Sequence, residues 1–343
     1  MKKTALLLII SILIVSILSV SGCSKKEETN SEKAKDIEKQ TENTPMNLTL
    51  LGMSASGPGL IMMNGVAECI NKSYPNSVVT IVPGNNGTNV PRINNNEADI
   101  AMSDNVFTSA GAAGEAPYDK KMDNLASLAV MQPQVFQIVA NSNLGIDSFD
   151  QIIKNKMKVR ISLGLAGGAW PYFFEKLLAE YGLTIDDMSN WGCEILYQGI
   201  GDSCQMLSDD RIDVIVAAVF VPTPNIQELS KNKDIVLLKL EPEMINNLCE
   251  KYGYFNSDIK TEYYDFLDED IPSLHTNSIL IVPKNSSDEN VYKITKSIVE
   301  NLDYLKTVHS SFADISEEKL VEDLDYPLHP GAEKYYREKG IIK

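Results

Sequence analysis

The stretch LLGMSASGPGLIMMNGVAECI, residues 50–70, runs from a short apolar strand through a tight loop of small residues into a helix-like apolar run. A loop of this kind leaves backbone N–H groups facing outward at a helix N-terminus, where anions are held. It lacks the Gly-Lys-Ser/Thr ending of a nucleotide phosphate loop, so a carboxylate suits it better. Ser54 and Ser56 offer hydroxyls, and the N–H groups around Gly57 and Gly59 lie along the start of the helix, with Leu60 next in line. Pro58 brings no N–H, a small loss in a first helical turn.

Further candidates follow other strand ends. Asn85, Asn86 and Asn89 in PGNNGTNV donate and accept through their amides. Ser103 and Asp104 follow a third strand, where Asp104 suits either the ammonium of an amino-acid-like ligand or a helix cap. The segment GLAGGAW supplies Gly167, Gly168, Ala169 and Trp170, and the indole either stacks on a planar part of a ligand or fills space. Phe220, Pro222 and Thr223 extend the same wall from another strand end. The four arginines, Arg92, Arg160, Arg211 and Arg337, fall outside these loops, so neutral donors rather than a guanidinium clamp are expected to hold the anion.

Catalysis needs a nucleophile with a base, a metal site or paired carboxylates. The three histidines, His275, His309 and His329, have no ligand spacing between them, and no G-x-S-x-G elbow is present. The acidic run FLDED (266–270) reads as solvated surface. No catalytic residue, metal or cofactor is therefore expected, and the chain is not read as an enzyme.

These loops must be positioned by an alternation of strands and helices. Leu48–Leu51, Val78–Val82, Ile100–Met102, Leu125–Val130, Val135–Ala140, Val159–Ser162, Ile195–Tyr197 and Val214–Phe220 are short and β-rich, with helical runs such as Leu60–Lys72, Tyr172–Tyr181 and Ser203–Leu207 between them. That order argues for parallel sheet covered by helices. It also repeats. GTNVPRINNNEADIAM from Gly87 aligns without a gap on GDSCQMLSDDRIDVIV from Gly201, placing Asp99 on Asp213. Upstream, LTLLGMSASGPGLIMMN is echoed by VRISLGLAGGAWPYFFE. The expected fold is α/β and two-lobed, like a periplasmic binding protein, with a hinge and a central cleft at the carboxyl ends of the strands. Residues 47–134 begin lobe 1, 135–276 form lobe 2, and 277–343 return to lobe 1 with C-terminal helices; the connecting strands fall near Met131–Ile138 and Asn277–Val282.

The N-terminus places this domain outside the cytoplasm. Lys2 and Lys3 precede an apolar run from Thr4 to Val20, and Ser21-Gly22-Cys23 closes it. A basic head, apolar core and small-residue site make a secretory signal over residues 1–22. Ending on Gly-Cys gives it the lipoprotein form, with Cys23 lipidated and anchored in the bilayer; an uncleaved span is the other reading. Residues 23–46 carry almost nothing apolar and read as a flexible tether. The formal charge of −16 argues against nucleic acid as a partner, which needs basic patches. Cys69, Cys193, Cys204 and Cys249 match no zinc pattern, and their disulfide state is open.

Gly52, Ser56 and Gly57, then Gly84 with Asn89, then NNEADIAM, LASLAVMQPQVFQIVA, GLAGGAWP, YGLTIDDM, PTPNIQELS, DIVLLKL and YPLHPGAEKYYREKGII follow one another in an order that resembles the TAXI-type solute-binding subunits of TRAP transporters. The resemblance runs from about Leu48 to Ile342. It implies an extracytoplasmic receptor that delivers a small organic anion to TRAP integral membrane subunits, and it singles out Asn89 among the asparagines. Relatives place hydroxyl side chains where this chain has Gly59, Leu60, Gly168, Ala169 and Trp170, so a glutamate-like ligand is not carried over. The expected ligand is a small carboxylate with an apolar or planar portion. A lipid-anchored sensor using the same cleft without transport is the alternative.

Overall fold

A computed structural model describes residues 44–53 and 58–343. The signal segment 1–22, the lipidation site Cys23, all but the last few residues of the tether, and Ser54, Ser56 and Gly57 lie outside the described residues. Among those described, no helix is long and apolar enough to cross a membrane.

The first parallel unit forms from β1 (Asn47–Leu51), β2 (Val78–Val82) and β3 (Ile100–Asp104), with β1 between the other two. β3 is buried along its whole length, as expected of a strand covered on both faces, whereas β2 is the edge and leaves Val78 exposed. The same unit recurs with β5 (Arg160–Ser162), β6 (Glu194–Leu196) and β7 (Val214–Val219), where β5 lies between β6 and β7, again in parallel. The gap-free sequence echo holds in detail. Helices begin at Pro58 and Ala169 after the first strand of each unit, and at Asn86 and Ile200 after the second.

Two long antiparallel strands join the units. β4 (Ala126–Asn141) pairs with β10 (Ile271–Val282) from Ala126 to Val135, and with β7 from Val135 to Ala140. β10 in turn pairs with β3 over Ser278–Ile281 and with β9 (Phe255–Ile259) over Ile271–His275. A short β8 (Ile235–Leu237) completes the set on β4, and the order along the sheet is β2-β1-β3-β10-β4-β7-β5-β6. The fold is therefore α/β and two-lobed, with β4 and β10 running through both halves. The sequence pattern divides β4 into two strands around Pro133; the ladder instead continues through it, opposite Asn277, with bulges alongside that absorb the irregularity.

One core packs helices Pro58–Ser73, Asp288–Val299 and Pro330–Lys339 on the first lobe, through Met62, Ile70, Ile294, Ile298 and Tyr336. The stripe predicted over ENVYKITKSIVENLDYL is buried as two helices, Asp288–Val299 and Leu302–Val308, broken at Glu300–Asn301. His329 and Gly340 cap the last helix, the glycine at φ +75°. A second core runs from Val90 and Phe107 into Tyr172 and Phe173, joining the lobes on one side. There the Phe107 and Tyr172 rings lie 4.7 Å apart, and the Tyr172 hydroxyl donates to the Ala116 carbonyl at 3.2 Å. All four cysteines after Cys23 are free thiols.

Candidate functional site

The carboxyl ends of both parallel units open onto one cavity of about 690 Å3. Five helix N-termini reach it: the first turns of helices Pro58–Ser73, Asn86–Asn94, Ala169–Glu180, Ile200–Ser208 and Pro224–Asn232 all contribute lining residues. First-turn N–H groups have no partner within their own helix. On the second lobe, the cap residues Gly168, Gly199 and Thr223 make no side-chain bond to those groups. On the first lobe the Asn85 side chain accepts from the Thr88 N–H. Each N-terminus adds about 0.3–1 kcal/mol for a negative group held there. No lysine or arginine lines the cavity among the described residues, and Asp202 is its one charged side chain. Arg160 is instead forked onto Asp213, and Arg337 onto Glu333.

Gly59, Asn85, Asn86, Gly168, Ala169, Trp170, Phe220 and Thr223 are the anticipated residues that line this cavity. The Trp170 indole N–H donates to the Ala218 carbonyl at 2.8 Å, so its ring is tied to β7 while it faces the cleft. Phe220 meets His309 edge-on at 5.4 Å, and both line the cavity. Leu60, Gly167 and Pro222 do not line it.

Asn89 lies behind the wall. It is fully buried, and its amide donates to the Gly52 carbonyl at 2.9 Å and to the Met102 carbonyl at 2.8 Å. It ties the ends of β1 and β3 rather than facing the cleft. Ser103 is also fully buried, turned away because adjacent residues of a strand face opposite sides, and its hydroxyl meets the Asn86 carbonyl.

Asp104 lies just beneath the cavity floor and neither caps the helix that follows it nor lines the surface. Its carboxylate accepts from the Asn86 amide, from Gln134 Nε2 at 2.9 Å and from Ser278 Oγ at 3.3 Å. Burial pushes this carboxyl up to about 7, against the pull of the Ser278 and Asn86 hydrogen bonds.

Residues not anticipated include Gln132, Gln134 and Ser278 on the floor, Met53 and Asp202 on the walls, and His309 from the C-terminal segment. The polar pair at Gln132 and Gln134, two residues apart in an otherwise apolar strand, was the available signal. His329 caps its helix through Nδ1, and His275 stacks on Phe255. Among the described residues, no group of three or more His, Cys, Asp or Glu is placed to hold a metal ion.

A family model described as the NMT1-like family matches residues 54–340. The chain belongs to the NMT1-like family. Solved structures similar to this NMT1-like chain include the periplasmic binding protein BugD, 15% identical, with a TM-score of 0.51 over 88% of this chain and 99% of that one. MatC from Rhodopseudomonas palustris with bound malate is 12% identical, with a TM-score of 0.52 over 87% and 99%. PhnD1 from Prochlorococcus marinus in complex with methylphosphonate is 12% identical, with a TM-score of 0.52 over 87% and 100%. At these identities the likeness is one of fold, and this NMT1-like chain has the fold of periplasmic solute-binding proteins.

Proposed function

We propose that the protein is an extracytoplasmic solute receptor, anchored by lipid at Cys23, that closes on a small carboxylate and delivers it to TRAP transporter membrane subunits. The observation that carries the ligand class is the convergence of helix N-termini on a cavity lined by no lysine or arginine among the described residues. Main-chain N–H groups and amides hold an anion there without a guanidinium clamp. Trp170 and Phe220 on one lobe and Met53 on the other favour a ligand with a planar or apolar part. The malate and methylphosphonate bound by two proteins of this fold are both small anions. The membrane partner and the lipid anchor rest on the sequence: the TAXI-like order of segments and the small-residue ending at Cys23.

The test is a thermal-shift screen of the purified chain against carboxylic acids, paired with fractionation of Cys23→Ser. A ligand at 100 times its dissociation constant stabilises the folded state by about 2.7 kcal/mol. A stabilising acid, and loss of membrane attachment in the variant, are expected. A screen in which only uncharged or cationic compounds stabilise the chain would overturn the ligand class.

A further inference from the structure

Three adjacent strands set a row of side chains along the cavity floor. In the ladder Asp104 of β3 stands opposite Ser278 of β10, which stands opposite Gln132 of β4, and Gln134 follows two residues along the same face. Asp104 decides which way the amides point. An ionised carboxylate only accepts, so Asn86 and Gln134 must both turn their nitrogens toward it. Asn86 Nδ2 donates to one oxygen, while Gln134 Nε2 donates to the other at 2.9 Å and to Ser278 Oγ at 2.8 Å. With the nitrogens directed inward, the amide oxygens of Asn86 and Gln134 remain for the cavity that both residues line.

Gln132 adds an independent sign. Only 7% of it is exposed, it lines the cavity, and its Oε1 is buried with no hydrogen-bond partner among the described residues. A buried acceptor left unmatched destabilises the fold unless a ligand group satisfies it. The floor thus offers three amide oxygens, with a carboxylate behind two of them. A ligand group that meets it must bring hydrogens, and a positive charge adds to the attraction.

We propose that this floor is a donor-reading subsite that takes the ammonium of the ligand, while the ligand's carboxylate lies at the helix N-termini of the second lobe. Asp104 acts as a positioning residue that fixes the amide orientation. The proposal rests on the carboxylate reading above and narrows it to an amino acid whose amine and carboxylate are held apart by a planar or apolar spacer. Such a molecule bridges the two lobes, one charged end on each. Trp170 and Phe220 on one lobe and Met53 on the other flank the spacer.

The test titrates four probes into the purified full-length chain at pH 8 by calorimetry: benzoate, benzylamine, terephthalate and 4-(aminomethyl)benzoate. The last is expected to bind at least tenfold tighter than benzoate, and terephthalate more weakly than benzoate. Asp104→Asn and, separately, Gln132→Leu are expected to bring the affinity ratio of 4-(aminomethyl)benzoate to benzoate toward one. A melting curve for each variant establishes that it is folded. Equal binding of benzoate and 4-(aminomethyl)benzoate, tight binding of terephthalate, or an unchanged ratio in both folded variants overturns the donor subsite and leaves the carboxylate receptor standing. Binding of benzylamine alone keeps the subsite and removes the carboxylate reading. Binding of none counts against both.

Discussion

Asp99 and Asp213 do the same work in the two lobes. Asp99 Oδ2 accepts the Thr49 N–H at 2.7 Å, and Asp213 Oδ2 accepts the Arg160 N–H at 2.8 Å. Each aspartate in turn donates its own N–H to the carbonyl of the same partner, at 2.9 Å in both lobes. The carboxylates thus pin the first strand of each unit to the third. Only Asp213 also holds a guanidinium, with Arg160 Nε at 2.9 Å and Nη2 at 2.7 Å. Asp99→Ala is expected to cost about 1 kcal/mol, the value of one ordinary hydrogen bond, and Asp213→Ala more, about 1.5–3 kcal/mol, because charged donors lose more. Urea melts of the two variants check this; equal costs would show that the Arg160 fork adds nothing.

Asp104 sets a pH dependence of stability. Its carboxyl lies at about 7 in the folded chain, raised from 3.8 by burial. Between those values the folded state holds a proton that the unfolded state has lost. The group's contribution is therefore complete below pH 4 and is lost as pH rises through 7, with a slope of up to about 1.4 kcal/mol per pH unit. Asp104→Asn is neutral throughout and removes that slope. Any fixed cost of placing an amide among the donors of Asn86 and Gln134 is the same at each pH. Denaturation at pH 5 and pH 7.5 is expected to show the variant gaining on the wild type as pH rises. Parallel behaviour would mean that Asp104 titrates normally.

The duplicated frame was legible because it is local. Strand, small-residue loop and helix start recur in both halves with matching spacing, and the helices begin where that spacing puts them, at Pro58 and Ala169. The loops that follow these strands account for Gly59, Asn86, Gly168 and Trp170 at the cavity. The floor was not legible, since Asp104, Ser278 and Gln132 come together only through antiparallel pairing between segments far apart in the chain. Which face of a strand a polar residue takes depends on register, and one step reverses it. Ser103 and Asp104 both follow from the sequence as candidates, yet only Asp104 bonds to the side chains of the floor, whereas Ser103 reaches the Asn86 main-chain carbonyl. His309 reaches the cavity from the C-terminal segment, which the sequence pattern assigns to packing.

Asn89 separates structural support from ligand contact. Its amide nitrogen bridges the Gly52 and Met102 carbonyls, and Gly84 packs so closely that an added Cβ would meet Asn89 Oδ1. Asn89→Ala leaves two buried carbonyls without these donors, each worth about 1–3 kcal/mol. The expected outcome is a clear drop in melting temperature. Ligand affinity, measured well below that transition, should fall less than it does in Asn86→Ala, because Asn86 lines the cavity and Asn89 does not. A variant that melted normally but lost ligand would return Asn89 to the cleft.

Gly164 fixes the aromatic wall. It follows β5 in the left-handed region at φ +73°, and an added Cβ would fall 2.5 Å from the Trp170 ring. Gly164→Ala meets two penalties at once: about 1–2 kcal/mol for a left-handed non-glycine residue, and about 1–3 kcal/mol for crowding a packed side chain. The indole can relieve the crowding only by moving, and its N–H is bonded to the Ala218 carbonyl at 2.8 Å. The variant is therefore expected to melt lower and to shift the Trp170 fluorescence. A Trp191→Phe background isolates that signal, since Trp191 donates its indole N–H to Cys193 Sγ and does not line the cavity. Weaker binding of any planar acid should accompany the shift. An unchanged spectrum with reduced binding would place the effect in the loop backbone instead of the ring.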